Sequence, residues 1–283
     1  MSKILVTGAN GQLGTEFTLV NNDNRVVIPL TKSECNICDF DELKKTIKKI
    51  NPDYLVNCAA YTKVDDCENN REIANLINNS AVKNLAQLSN ELDFTLIHVS
   101  TDYIFDGNFN RPISENANTN PLNCYGKTKL AGEKSLQEIA KKFYIIRVGW
   151  LYGEYGTNFP AVILSNLKSK KKLRVVNDQF GSPTPARLVK DCILNLINVN
   201  SRLYGTYNIA PNNICSWFDV AQFIAKEKEL DSHNILPISS SDLERDAPRP
   251  SYSFLDNEKF SKKFNYEFFS WQHYLKDYLK INS

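Results

Sequence analysis

No stretch of this chain approaches the roughly 20 consecutive apolar residues that a membrane-crossing helix needs. Its first residues also lack the apolar core of a signal peptide. The expectation is a cytoplasmic chain with no membrane role. A surplus of charge is missing as well. The chain has 34 lysines and arginines against 32 aspartates and glutamates, a net charge of +2, which gives no footing for nucleic acid. The basic run Lys168-Ser169-Lys170-Lys171-Lys172 reads as a solvated helix end. Histidine is scarce: there are three (His98, His233, His273), far apart in sequence. Seven scattered cysteines, an odd number, make no disulfide framework. Cys35-Asn36-Ile37-Cys38 has the spacing of half a zinc or redox site. No second such pair accompanies it, so ordinary reduced thiols are expected. Repeats, low-complexity tracts and flexible linkers are absent too.

What remains is an ordinary globular composition. At 283 residues, 42% hydrophobic and 23% charged, the chain can bury a large core as one domain or one and a half. The first half alternates between two periodicities. Apolar runs at Ile4–Thr7, Arg25–Leu30, Tyr54–Asn57, Thr95–Val99 and Tyr144–Val148 read as strands. Helical patterns lie between them: one at Asp39–Ile50 with Asp39 as N-cap, one from about Asn70 to Leu92, and one carrying Tyr125 and Lys129. Strand–helix alternation predicts an α/β fold of the Rossmann type, a doubly wound parallel sheet with helices on both faces. Residues 1–153 form the expected dinucleotide-binding domain. Residues 154–283 form a smaller substrate-binding region interleaved with it, with helices near Asn158–Lys168, Pro185–Val199, Ser216–Lys228 and Tyr274–Lys280 and strands at Leu173–Val176 and Thr206–Ile209.

Ligands of such sheets bind at the C-terminal strand ends, and here those ends carry unusual residues. The first opens into Gly8-Ala9-Asn10-Gly11-Gln12-Leu13-Gly14. Strand, glycine loop and helix together bind pyrophosphate: Gly8 permits the turn, Gly11 the approach of backbone to phosphate, and Gly14 the packing of helix on sheet. The third strand ends in small residues, Ala59 and Ala60, that suit a flat cofactor. The fourth ends in Ser100-Thr101-Asp102-Tyr103, whose hydroxyls suit a carbonyl oxygen. Tyr125 and Lys129 stand one helical turn apart and so face one cleft. A neighbouring ammonium favours phenolate, which makes Tyr125 a proton donor suited to a carbonyl under reduction.

On these motifs, together with Trp150-Leu151-Tyr152-Gly153, Asp178-Gln179-Phe180-Gly181-Ser182-Pro183-Thr184 and Arg249-Pro250, the chain resembles the extended short-chain dehydrogenase/reductases nearly end to end. Within them it is similar to the branch that reduces the C4 ketone of dTDP-4-dehydro-L-rhamnose. The resemblance implies NADPH or NADH as cofactor and Tyr125, Lys129 and Thr101 as catalytic groups. Tyr125 would protonate the forming alkoxide. Lys129 would lower the pKa of Tyr125 and bond the nicotinamide ribose, and Thr101 would donate to the same substrate oxygen. It implies cofactor contacts from Gly8, Asn10, Gly11, Gln12, Leu13, Gly14, Thr31, Lys32, Asp39, Phe40, Ala59, Ala60 and Tyr61. It implies substrate contacts from Thr101, Asp102, Trp150, Asn158, Phe159, Gln179 and Arg249.

Two departures carry expectations. After the second strand, Thr31 and Lys32 stand where many dinucleotide binders place an acid, so NADPH should serve at least as well as NADH. Some family members dimerise around a metal held by glutamates. Glu16 matches one such position, but Arg187 stands where another acid is expected, so no metal is predicted, only a monomer or weak homodimer. Two alternatives stay open. One is another nucleotide-linked 4-keto-6-deoxy sugar, such as a UDP-linked one. The other is a non-catalytic dinucleotide-binding subunit, similar to the regulatory subunit of methionine adenosyltransferase, against which the intact Thr101, Tyr125 and Lys129 set argues.

Overall fold

The five apolar runs pair side by side as parallel strands, the inner ones buried on both faces and the second lying half-buried at the edge. In the computed structural model, which describes residues 2–18, 20, 25–199 and 202–281, they are β1 (Ser2–Thr7), β2 (Arg25–Leu30), β3 (Tyr54–Asn57), β4 (Thr95–Thr101) and β5 (Phe143–Val148). A sixth strand, Gly205–Ile209, adds to β5 from beyond residue 153, giving the order Gly205–Ile209, β5, β4, β3, β1, β2. All five neighbouring pairs are parallel.

Helices α1 (Gln12–Phe17), α2 (Phe40–Ile50), α3 (Asp66–Asn69), α4 (Arg71–Asn75), α5 (Ala81–Glu91) and α6 (Cys124–Ile139) connect or follow the strands. Alternate strand residues feed opposite cores. Leu5, Leu55, Leu96 and Ile145 pack on Leu43 and Ile47 of α2, Leu85 of α5 and Leu136 of α6. Ile4, Val6, Val56, Ile97 and Ile146 pack on the other side, against α8 (Ala186–Val199) and α10 (Glu258–Phe264). The later half of the chain therefore completes the first core. A third core joins α7 (Phe159–Lys168), α9 (Trp217–Glu227) and α11 (Trp271–Ile281), with Leu164, Ile224 and Leu275 at its centre.

Three differences from the sequence reading have local causes. The helical region from Asn70 to Leu92 is interrupted by a π-turn at Leu76–Ser80. There Asn78 is fully buried and its amide holds both backbone groups of Tyr61. The strand Ile235–Ile238, hidden in the sequence by Pro237, pairs with Leu173–Val176. Helix α10, which the sequence reading passes over, is a short seven-residue element held by Phe260 and Phe264.

Candidate active site

The glycine loop sets the floor of the site. Gly8 has φ of +68°, and a Cβ there would lie 2.7 Å from the Ala59 nitrogen. A Cβ on Gly14 would lie 2.2 Å from the Gly8 carbonyl oxygen. Gly14 thus lets α1 close on the loop itself rather than on the sheet, as the sequence reading had it. At Gly11 a Cβ would meet only the Gly8 carbonyl, at 3.3 Å, and α1 begins there with no side-chain cap. Backbone N–H groups are consequently left bare where the strand ends open, which is the cradle a pyrophosphate requires.

Two cavities run along the strand ends and meet at Gly11, Cys58 and Ala60. The first, about 440 Å³, is lined by Gln12, Leu13, Gly14, Ser100, Thr101, Asp102, Tyr125, Lys129, Trp150 and Trp217 among others. The second, about 390 Å³, is lined by Gly8, Asn10, Lys32, Ala59 and the Asn36–Cys38 stretch, with Leu76 and Ile77 opposite. Together they form one trough along the strand ends that runs from Lys32 past the glycine loop to Trp150. This chain's own residues fit NADPH or NADH in that trough.

Helix α6 is placed by its first turn. Asn123 caps it, accepting from Gly126 N at 2.8 Å. A Cβ on Gly126 would stand 2.1 Å from the Tyr103 carbonyl, so the helix start is pressed onto the end of β4. That contact brings Tyr125 and Lys129 to Thr101 and Asp102. Tyr125 is in hydrogen-bond contact with Thr101. Thr101 Oγ1 in turn donates to Asp102 Oδ1 at 3.0 Å. Asp102 is 1% exposed, its Oδ2 has no hydrogen bond, and burial lifts its carboxyl to about 6. The Ser100 hydroxyl is likewise buried without a partner beside the same cavity. Unpaired buried oxygens of this kind are expensive to maintain, and both residues line the cavity.

One electrostatic expectation is corrected. The sequence reading has Lys129 lowering Tyr125. Instead, burial raises the Tyr125 phenol above its usual range, with Asp102 adding to the rise. The Lys129 amine turns to the Val99 carbonyl at 2.7 Å and to His98 Nε2 at 3.1 Å. Burial brings Lys129 down to about 8, opposed by Glu133. At the cofactor end another expectation shifts. Thr31 N and Oγ1 both donate to Glu34 Oε2, at 2.8 and 2.7 Å. An acid missing from the end of β2 therefore returns three residues later through a turn, while Lys32 lines the cavity.

Several expected contacts are tied up elsewhere. Asp39 caps α2 and Phe40 packs into the core beside Leu43, while Asn36, Ile37 and Cys38 line the cavity in their place. Tyr61 donates to Asp66 Oδ2 at 2.5 Å. Asn158 caps α7 and donates to the Gly153 carbonyl at 2.6 Å. Gln179 donates to Ser240 at 2.8 Å. Arg249 forms a two-pronged ion pair with Asp65. Phe159 rests on Trp217, with ring centroids 4.5 Å apart. Trp150 does reach the cavity, with φ of +50° and its ring stacked on Trp217 at 3.7 Å. The sequence reading missed Trp217, since an aromatic at the start of an amphipathic helix reads as core. It also missed His98, although a histidine inside the buried run of β4 is itself a signal. Glu16 and Arg187 line a separate cavity of about 270 Å³ away from this site.

A family model described as RmlD substrate binding domain matches residues 2–283. The dTDP-4-dehydrorhamnose reductase of Escherichia coli K12 is 37% identical over 283 residues, covering 95% of this chain and 94% of that protein. The spore coat polysaccharide biosynthesis protein SpsK of Bacillus subtilis is 35% identical, covering 100% and 99%. A crystal structure of dTDP-4-dehydrorhamnose reductase from Bacillus anthracis in complex with NADP superposes with a TM-score of 0.94 at 33% identity, covering 100% of this chain and 99% of that one.

Proposed function

Since the chain belongs to the RmlD substrate binding domain family, we propose that it reduces the C4 ketone of dTDP-4-dehydro-L-rhamnose to dTDP-L-rhamnose, using NADPH or NADH. The observation that carries this reading is the meeting of Thr101, Asp102, Tyr125 and Lys129 in one cavity continuous with the glycine loop. NAD(P)H supplies the hydride when bound. Residues 1–153 hold the dinucleotide and residues beyond 153 bring the sugar-nucleotide wall. Gly8, Asn10, Gly11 and Lys32 take the phosphate and ribose end, and Ala59 and Ala60 leave room for a flat ring.

Tyr125 gives its phenolic proton to the ketone oxygen as charge develops there. A buried phenol with a raised pKa holds that proton firmly until a negative oxygen arrives. Thr101 orients the phenol, and Lys129, as an ammonium in the complex, stabilises the phenolate left behind. Asp102 and Ser100 accept from or donate to sugar hydroxyls through their unpaired oxygens. The Trp150–Trp217 stack forms an apolar platform at the far end of the cavity. A coupled assay tests the whole reading: dTDP-glucose with the 4,6-dehydratase and the 3,5-epimerase, this protein, and NADPH oxidation followed at its absorbance. Rapid oxidation dependent on all components supports it. Oxidation only in a parallel mixture that generates a UDP-linked keto sugar moves the substrate to that nucleotide.

A further inference from the structure

A chain of hydrogen bonds behind the catalytic residues has a polarity that can be worked out atom by atom. It starts at the Ala59 backbone N–H, which can only donate and lies 3.2 Å from Asn57 Oδ1. Thr7 Oγ1 donates to the same oxygen at 2.7 Å. The carbonyl end of the Asn57 amide is therefore fixed toward Ala59, and its NH₂ end faces His98 Nδ1 at 3.1 Å. An NH₂ group has no lone pair to offer, so Nδ1 must accept. His98 is fully buried and held neutral, since desolvation and then Lys129 keep its pKa well below the usual value. A neutral imidazole that accepts at Nδ1 carries its proton on Nε2. That N–H points at Lys129 Nζ, 3.1 Å away.

The consequence falls on Lys129. An ammonium has three donors and no lone pair, so against His98 it would set one donor against another. A neutral amine has a lone pair to receive the His98 proton and keeps N–H groups for the Val99 carbonyl at 2.7 Å. We propose that His98, locked as the Nε2–H tautomer by Asn57, is a positioning residue that favours the neutral amine of Lys129 at rest, and that dinucleotide binding favours the ammonium, drawing a proton from solvent wherever the resting lysine is neutral. This rests on the reading that Lys129 bonds the nicotinamide ribose, whose hydroxyl oxygens accept and so favour the ammonium.

The other groups around Lys129 are compatible with this. Glu133, one turn along α6, favours the ammonium, but its carboxylate is paired with the buried Arg147 at 2.7 Å. Cys58, at the end of β3, is pushed up to about 12 and stays a thiol. Tyr125 stays a phenol, and Asp102, in the same cavity, bonds Thr101. Burial, opposed by Glu133 and Cys58, brings Lys129 to about 8, and an N–H donor on His98 facing the amine acts in the direction of burial. Above that value the lysine thus assists Tyr125 only once a dinucleotide is in place, and Tyr125 stays a phenol in the resting protein.

Two measurements on the unmodified protein test this. Two-bond ¹H–¹⁵N correlation spectra of the three imidazoles report tautomers directly. The expected result is one ring in the Nε2–H pattern that does not titrate, its signals lost in His98→Gln. An Nδ1–H or cationic pattern for that ring overturns the proposal. The second is calorimetry of NADH binding in buffers of different ionisation heat. NADH is chosen because it lacks the titrating 2′-phosphate. Uptake should approach one proton per site at about pH 9, above the resting value of Lys129 near 8, and fade as the pH falls, because the lysine is then already charged. Lys129→Met should abolish it. Binding of NADH without uptake at about pH 9 overturns the proposal but leaves the reductase reading intact. Failure of both NADH and NADPH to bind removes both.

Discussion

The two halves of the chain treat the polar residues of their motifs in opposite ways. On the wall built by β4 and α6, Ser100 and Asp102 keep buried oxygens unpaired, and the Tyr125 phenol meets the Thr101 hydroxyl. On the side contributed beyond residue 153, Asn158, Gln179 and Arg249 are each bound to a neighbour in the fold. Both sets come from sequence motifs. They differ because β4 delivers side chains from the end of a rigid sheet, whereas the later chain is built from short strands and loops that need side chains to tie them together. A polar residue in a motif is available to a ligand only where the fold has not already used it.

The sharpest way to break this comparison is at Tyr125. Tyr125→Phe removes the proton and keeps the ring, so kcat should fall by about 10²–10⁴-fold, with dinucleotide affinity retained in a fluorescence titration. Near-normal turnover would remove Tyr125 as the acid. Next in size is Asp102. Burial lifts its folded pKa to about 6, above the usual carboxylate range, so the folded state binds the proton more tightly. The group's stabilising contribution is full below the unfolded pKa and is lost as pH rises through the folded one. Asp102→Asn cannot ionise and should gain up to about 3 kcal/mol over the wild type at neutral pH, and nothing near pH 4. Urea unfolding at the two pH values checks this, and a variant less stable than wild type at neutral pH would contradict the desolvation argument.

Trp217→Ala withdraws the ring on which Trp150 is stacked. The expected effect is about 1 kcal/mol, seen as a several-fold rise in KM for the nucleotide sugar with dinucleotide affinity unchanged. Asn158→Ala tests the later half of the chain. If its side chain is a helix cap, stability falls by about 1 kcal/mol and the substrate KM stays put; a large KM change with no loss of stability would return Asn158 to the substrate site. The smallest effect is expected at Lys32, an exposed charge. Lys32→Ala should lower kcat/KM for NADPH by a few-fold, on the order of 1 kcal/mol or less, and leave NADH alone. A strong NADH preference unchanged by the substitution would instead favour Glu34, which bonds Thr31, as the group that reads the ribose.

Much of this was legible in the residues. Continuous apolar runs in β1 to β5 and the glycine loop after β1 announce a parallel sheet with a dinucleotide cradle, because their backbone requirements are local. The turn between Tyr125 and Lys129 was legible for the same reason. The route of Gly205–Ile209 back to the edge of the first sheet was not, since pairing partners far apart in sequence leave no local mark. The Trp150–Trp217 stack was hidden likewise. So was His98, whose meaning depends on Asn57 on one side and Lys129 on the other, 41 and 31 residues away.

By itself, then, the sequence determined which residues have the chemistry for carbonyl reduction and which segments become strands and helices, because spacing and side-chain type act over a few residues. Only the tertiary structure decided which of those residues remain free to act and in which protonation state. That outcome depends on burial and on the donor or acceptor at the far end of each hydrogen bond, and both are supplied by parts of the chain brought together only by folding.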